Sequence, residues 1–82
     1  MEKQIIVGQR GWVFIGDVRQ DGDQVVIENA QNIRRWGTTT GLGQLALEGP
    51  QPNTVLDPAG TVMIHQLGIV ARFKVDAEKW QN

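Results

Sequence analysis

Cysteine and serine are absent from the 82 residues, and histidine occurs once. Without cysteine there is no disulfide and no thiolate zinc site, and one histidine is too few to replace it. Neither a metal nor a cofactor is expected. The missing serine removes the nucleophile with which His65 would most simply work, so His65 reads as a structural or surface residue. Glu28, Glu48, Asp57 and Asp76 supply carboxylates, but nothing in their spacing brings two together as acid and base. The chain is expected not to be an enzyme.

Excess charge is lacking too, with eight basic residues against nine acidic and a formal net charge of −1. A general polyanion binder needs many cationic phosphate contacts, which this balance disfavours. A small anion met by two or three local arginines remains compatible with it. No apolar run approaches a membrane span, and the start MEKQIIVG lacks the apolar centre of a signal peptide, so a soluble cytoplasmic protein is expected. Residues 1–82 make one domain with a small core. Because disulfides and metal are excluded, self-association into a homo-oligomer is the expected source of further buried area.

What is present reads mainly as antiparallel sheet. Gln4 to Val7 is a short run, followed by a turn at Gly8 to Gly11. Trp12 to Gln20 forms one strand, bent or bulged at Gly16. Asp21-Gly22-Asp23 is a hairpin turn, and Gln24 to Asn29 returns from it, with Ala30 to Gly37 continuing as strand around an inward Ile33. The three prolines all fall between Pro50 and Pro58, which marks Gly49 to Gly60 as the one loop, a lid or an oligomer contact. Thr61 to Gln66 and Ile69 to Val75 are expected to form a second hairpin turning at Leu67-Gly68. Its last strand places Val70, Arg72 and Lys74 on one face and Ile69, Ala71, Phe73 and Val75 on the other. The segment Asp76 to Asn82 is polar except for Trp80, which tucks onto the sheet or packs on a neighbour. The fold class is α+β, mainly β: a small curved antiparallel sheet or barrel of five to six strands with one short helix.

Chemistry concentrates between Ile33 and Pro50. Thr40 is an N-cap residue type, Gly49 suits a C-terminal left-handed position, and Pro50 blocks continuation. Leu42, Leu45, Ala46 and Gly49 recur at helical spacing, leaving Gln44 and Glu48 to point elsewhere. Unpaired N–H groups at a helix start attract phosphate or carboxylate, and Thr38, Thr39 and Thr40 add hydroxyl donors. Arg34 and Arg35 contribute charge, and Trp36 a face on which a base can stack. These residues, with Gln44, are the candidate ligand site. The competing reading makes Trp36 a core anchor, one arginine solvated, and the threonines a capping loop. Gly41 to Ala46 matches the G-x-G-x-x-[G/A] dinucleotide pattern. That pattern requires a parallel βαβ unit with an acidic residue about twenty positions on, which this antiparallel chain does not supply.

Two resemblances accompany these residues. Gly16, Val18, Asp21, Asp23, Val25, Val26, Ile27, Asn29 and Ala30 resemble the first half of an Sm-like or SH3-like small barrel, which implies a small curved sheet. The block Trp36, Leu42, Gln44, Leu45, Ala46, Leu47, Glu48, Gly49, with a final strand ending at Val75, resembles a family of short, functionally uncharacterised proteins of tailed bacteriophages, across roughly Gly16 to Val75. Arg34-Arg35 and the threonine triplet depart from that pattern. The resemblance implies a phage accessory protein and carries no catalytic residues. The expected function is sequestration, in the infected host cell, of a small phosphorylated nucleotide signal of the cyclic oligonucleotide or cyclic ADP-ribose type, without chemistry. An RNA- or protein-binding small barrel with Arg19, Arg34, Arg35, Arg72 and Lys74 as its basic patch is the alternative, RNA being disfavoured by net acidity. A structural virion component is the third reading.

Overall fold

The computed structural model describes residues 2–80. Five strands, β1 (Glu2–Gly8), β2 (Val13–Asp21), β3 (Gln24–Arg35), β4 (Val55–His65) and β5 (Ile69–Lys74), form one antiparallel sheet in the order β4-β3-β2-β1-β5. One helix, α1 (Leu42–Glu48), interrupts the strands. The sheet is curved and not closed, as β4 and β5 are its two edges. Among the described residues no helix is long and apolar enough to cross a membrane.

Curvature follows from the sequence at two points. At Gly16 the register between β2 and β3 shifts, and an added Cβ would lie 2.6 Å from Ile27 Cγ2 and 2.9 Å from the Glu28 carbonyl. Only glycine lets β3 approach that closely, so the strand bends here as its sequence predicts. Across from it Asn29 adopts a positive φ of 53°, an uncommon conformation that asparagine tolerates better than most residues. The return strand passes through this irregularity and runs on to Arg35.

Two expectations are corrected. The stretch Gly49 to Gly60 is not one loop: β4 begins at Val55, and Pro58 pairs with Gln31 within it. Proline is tolerated because β4 is an edge strand, whose outward N–H groups need no ladder partner. Thr61 to Gln66 and Ile69 to Val75 are not a hairpin. A 3-10 turn at Gln66–Gly68 carries the chain from one edge of the sheet to the other, and β5 pairs with β1 instead.

Each sheet face holds its own core. On one, Ile5, Val13, Ile15 and Ile33 pack against Leu42, Leu45 and Ala46 of α1 and against Trp80. On the other, Ile6, Phe14, Val18, Val25, Ile27 and Ala30 face one another inside the curl. Along β5 Val70, Arg72 and Lys74 are outward as expected, but Ile69 packs in one core and Phe73 and Val75 in the other, because the ladder with β1 slips at Val70.

Trp80 fastens the chain's end to the helix. It is 3 % exposed, its indole N–H donates to the Leu45 carbonyl at 2.9 Å, and its own carbonyl accepts from Lys3 Nζ at 3.2 Å. The Asp76 N–H donates to the Ala46 carbonyl at 2.8 Å, so the tail and α1 share hydrogen bonds as well as apolar area. Of the expected tail, Gln81 and Asn82 lie outside the described residues. Replacing Trp80 with alanine removes an indole that α1 needs as a cover. Urea unfolding is expected to show a loss of about 3–5 kcal/mol, most of the stability available to so small a domain.

Candidate functional site

β3 ends in Arg34 and Arg35, both exposed, where its ladder with β4 slips so that Arg34 is the extra residue between the pairs Ile33–Leu56 and Arg35–Val55. Ile33, between Asn32 and Arg34, points into the core beneath α1. Arg34 Nε lies 2.6 Å from Asp57 Oδ2 on β4, an exposed ion pair at a step where the β3–β4 register slips. Such a pair is worth about 0–1 kcal/mol and leaves the rest of the guanidinium to solvent. Arg35 makes no ion pair among the described residues.

Trp36 is 42 % exposed and so is not a core anchor. Its carbonyl accepts the Thr54 hydroxyl at 2.6 Å, and Gly37 follows in a left-handed conformation pressed against the Asn53 backbone. An added Cβ on Gly37 would lie 2.4 Å from the Asn53 carbonyl carbon, so the chain turns away from β3 only because this residue is glycine.

The threonines behave differently from a waiting anion site. Gln44 Oε1 accepts from the Thr39 N–H (2.9 Å), the Thr39 hydroxyl (3.1 Å), the Thr40 N–H (3.0 Å) and the Thr40 hydroxyl (3.1 Å). Thr38 Oγ1 accepts from the Gly41 N–H at 3.1 Å. Thr40 is not the N-cap. Gly41 takes that position with no side-chain cap bond, because its φ of 93° admits the sharp entry into α1 that threonine resists. Gln44 stands three residues after the cap and reaches back over the preceding N–H groups, as the acceptor of a capping box does. The Thr39 and Thr40 donors among the candidate ligand groups are thus satisfied by an amide oxygen of the chain itself.

Register adds a residue that sequence reasoning did not select. The β2–β3 ladder starts with Phe14 paired to Asn32, and Trp12 immediately precedes β2 at that end of the sheet, where β3 runs out through Arg34 and Arg35. Trp12 is 56 % exposed, its ring parallel to that of Phe14 with centroids 6.0 Å apart. Trp12, Arg34 and Trp36 are thus three exposed side chains toward the end of the sheet where β2 begins and β3 ends. The only signal in sequence was a tryptophan at the start of an otherwise buried run, indistinguishable there from core. The strip has no walls: among the described residues there is no enclosed cavity.

His65 stands at the far end of β4. Its Nδ1 accepts the Leu67 N–H at 3.1 Å, which leaves Nε2 to carry the proton toward Asp23 Oδ2 at 3.2 Å. It caps the 3-10 turn and holds the β2–β3 hairpin. Arg19, on the same hairpin, is raised above its ordinary value by its hydrogen bond to Glu28, with smaller charge contributions from Glu28 and Asp21. No cluster of three metal-ligating side chains exists among the described residues.

The capping role of Gln44 is open to test by unfolding. Gln44→Ala is expected to cost about 1–2 kcal/mol through four lost acceptor contacts. Gln44→Glu is expected to retain stability at neutral pH, because the carboxylate accepts the same donors. Those donors hold the introduced carboxyl's folded pKa below its unfolded value, so this stabilisation is present above the unfolded value and is lost as pH falls through the folded one. A pH-independent difference between Gln44→Glu and the unmodified chain between pH 3 and pH 7, judged on the scale of about 1 kcal/mol, would refute this role. No family model matches the chain, and no curated protein is found similar to it.

Proposed function

We propose that the chain is a non-catalytic binding module for a ligand carrying both phosphate and an aromatic base. The observation that carries this is the concentration of exposed groups at one end of the sheet, where Trp12 precedes β2 and Arg34, Arg35 and Trp36 close and follow β3. Guanidinium groups pair with phosphate in bidentate fashion, and indoles stack on bases, each stack worth about 1–3 kcal/mol. Sequestration needs binding alone, in keeping with a strip made of arginine and tryptophan.

In its most specific form the ligand is a small nucleotide signal of bacterial immunity, of the cyclic oligonucleotide or cyclic ADP-ribose type, and the module belongs to a tailed phage. The threonine donors play no direct part while Gln44 occupies them. The ligand is held by Arg34, Arg35, Trp36 and Trp12, in the cytoplasm of the infected cell. The openness of the strip favours a second reading, a short single-stranded RNA laid across it, since an extended chain needs no enclosing wall.

The distinguishing experiment is thermal melting with a panel of cyclic dinucleotides and cyclic ADP-ribose isomers. A ligand at about 100 times its Kd adds about 2.7 kcal/mol, a rise of several degrees. Arg35→Ala and Trp12→Ala are expected to abolish the shift while leaving the unliganded melting point within a few degrees. A flat response to the whole panel, with salt-sensitive binding to an RNA oligomer, would transfer the strip to RNA. A flat response to both sinks the proposal.

A further inference from the structure

We infer that the free edge of β5 is the docking site for an extended acidic segment of another protein, which adds to the sheet as a further strand beside Ile69–Lys74. This goes beyond the ligand reading and uses none of its residues.

The sheet has two edges, and β5 is the one fit to be extended. β4 contains Pro58, which has no N–H to give, and its ladder with β3 slips three times. β5 holds neither proline nor glycine, and its register with β1 slips only at Val70, beside the turn that it leaves. In an antiparallel ladder alternate residues turn their N–H and C=O away from the neighbouring strand. On β5 these groups have no internal partner: among the described residues no backbone group from Val70 to Lys74 bonds outside the ladder with β1. The chain does not fold back to cover them, because from Asp76 it is bonded to α1 through the Ala46 carbonyl.

Charge names the occupant. Arg72 lies across from Ile6 and Lys74 from Gln4, and cross-strand partners share a face, so both cations project from one side of β5. They are exposed and make no ion pair among the described residues. Two positions apart on a strand, they recur at about 7 Å, which is also the repeat of carboxylates at alternate positions of an added strand. A second copy does not supply that match. Its β5 would set arginine and lysine against their own kind, and the one carboxylate of its β4, Asp57, is held by Arg34. A polynucleotide answers the charge but has no row of amides for the edge. Cations on an edge deter casual strand pairing, and the same cations select an acidic strand. Strand addition uses both features, taking affinity from main-chain hydrogen bonds and specificity from alternate side chains.

The test is a short end-blocked peptide alternating threonine and glutamate, titrated into the nitrogen-15-labelled full chain. Saturable amide shifts centred on β5 are expected, with new exchange protection of the β5 amides that point away from β1. The same peptide with alternate amides N-methylated keeps its charge but loses the donors the edge needs, and is expected to bind about tenfold more weakly. Arg72→Glu combined with Lys74→Glu is expected to lose about tenfold for the glutamate peptide and to gain affinity for a threonine and lysine counterpart, a reversal that an unfolded variant would not show. No saturable shift up to about 1 mM peptide overturns the inference, as does an N-methylated peptide that binds as well as its parent. Protection of β5 that rises with protein concentration alone assigns the edge to a second copy and overturns it equally. Protection that only an RNA oligomer produces does the same.

Discussion

Three residues, Gln66 to Gly68, join the two edges of a five-stranded sheet, and the rest of the architecture answers to that constraint. In a flat sheet the outer strands would lie four spacings apart, about 19 Å. Four extended residue steps reach only about 14 Å, and a 3-10 turn less than that. The sheet must therefore curl until the ends of β4 and β5 come together. Gly16 and Asn29 are where β2 and β3 yield to that curl, and the residues Val25, Ile27 and Ile64 are what it encloses.

Curling buries one face and leaves the other to be covered by something else. That is the work of α1 and Trp80, which close over Ile5, Val13, Ile15 and Ile33. A helix of seven residues has no stability of its own. It holds because Leu45 and Ala46 lend their carbonyls to the tail while their side chains enter the core, and because Gln44 gathers the N–H groups that precede it. The same side chain that secures the helix start takes the donors an anion would have used. Those groups serve the helix start in this chain.

The cationic and aromatic residues outside that arrangement are left on the rim. Arg34, Arg35 and Trp36 reach it because β3 is two residues longer than the buried run that ends at Ile33. Trp12 is exposed where the turn Gln9–Gly11 leads into β2, its carbonyl accepting the Gly8 N–H. An open rim of this kind suits binding by stacking and charge.

Much of the fold was legible from local chemistry. The Asp21-Gly22-Asp23 turn, the bend at Gly16, the outward row Val70, Arg72 and Lys74 and the buried stripe Leu42, Leu45, Ala46 each follow from turn residues or periodicity, which act over a few residues. What local chemistry cannot carry is pairing between distant segments. β4 and β5 read as a hairpin because they adjoin in sequence, yet β5 gains more by pairing with β1, where Phe73 meets Ile5 over the helix-covered core. Pro58 read as loop because proline breaks a central strand, and only the edge position of β4 removes that objection. The residue types of the candidate site were likewise evident, but their partners were not. Whether a threonine hydroxyl faces a ligand or Gln44, and whether Trp12 is core or rim, depends on which strands lie beside it. Tertiary structure decides this, since a hydrogen bond or a stacking face is fixed by the neighbour that arrives and not by the residue that offers it.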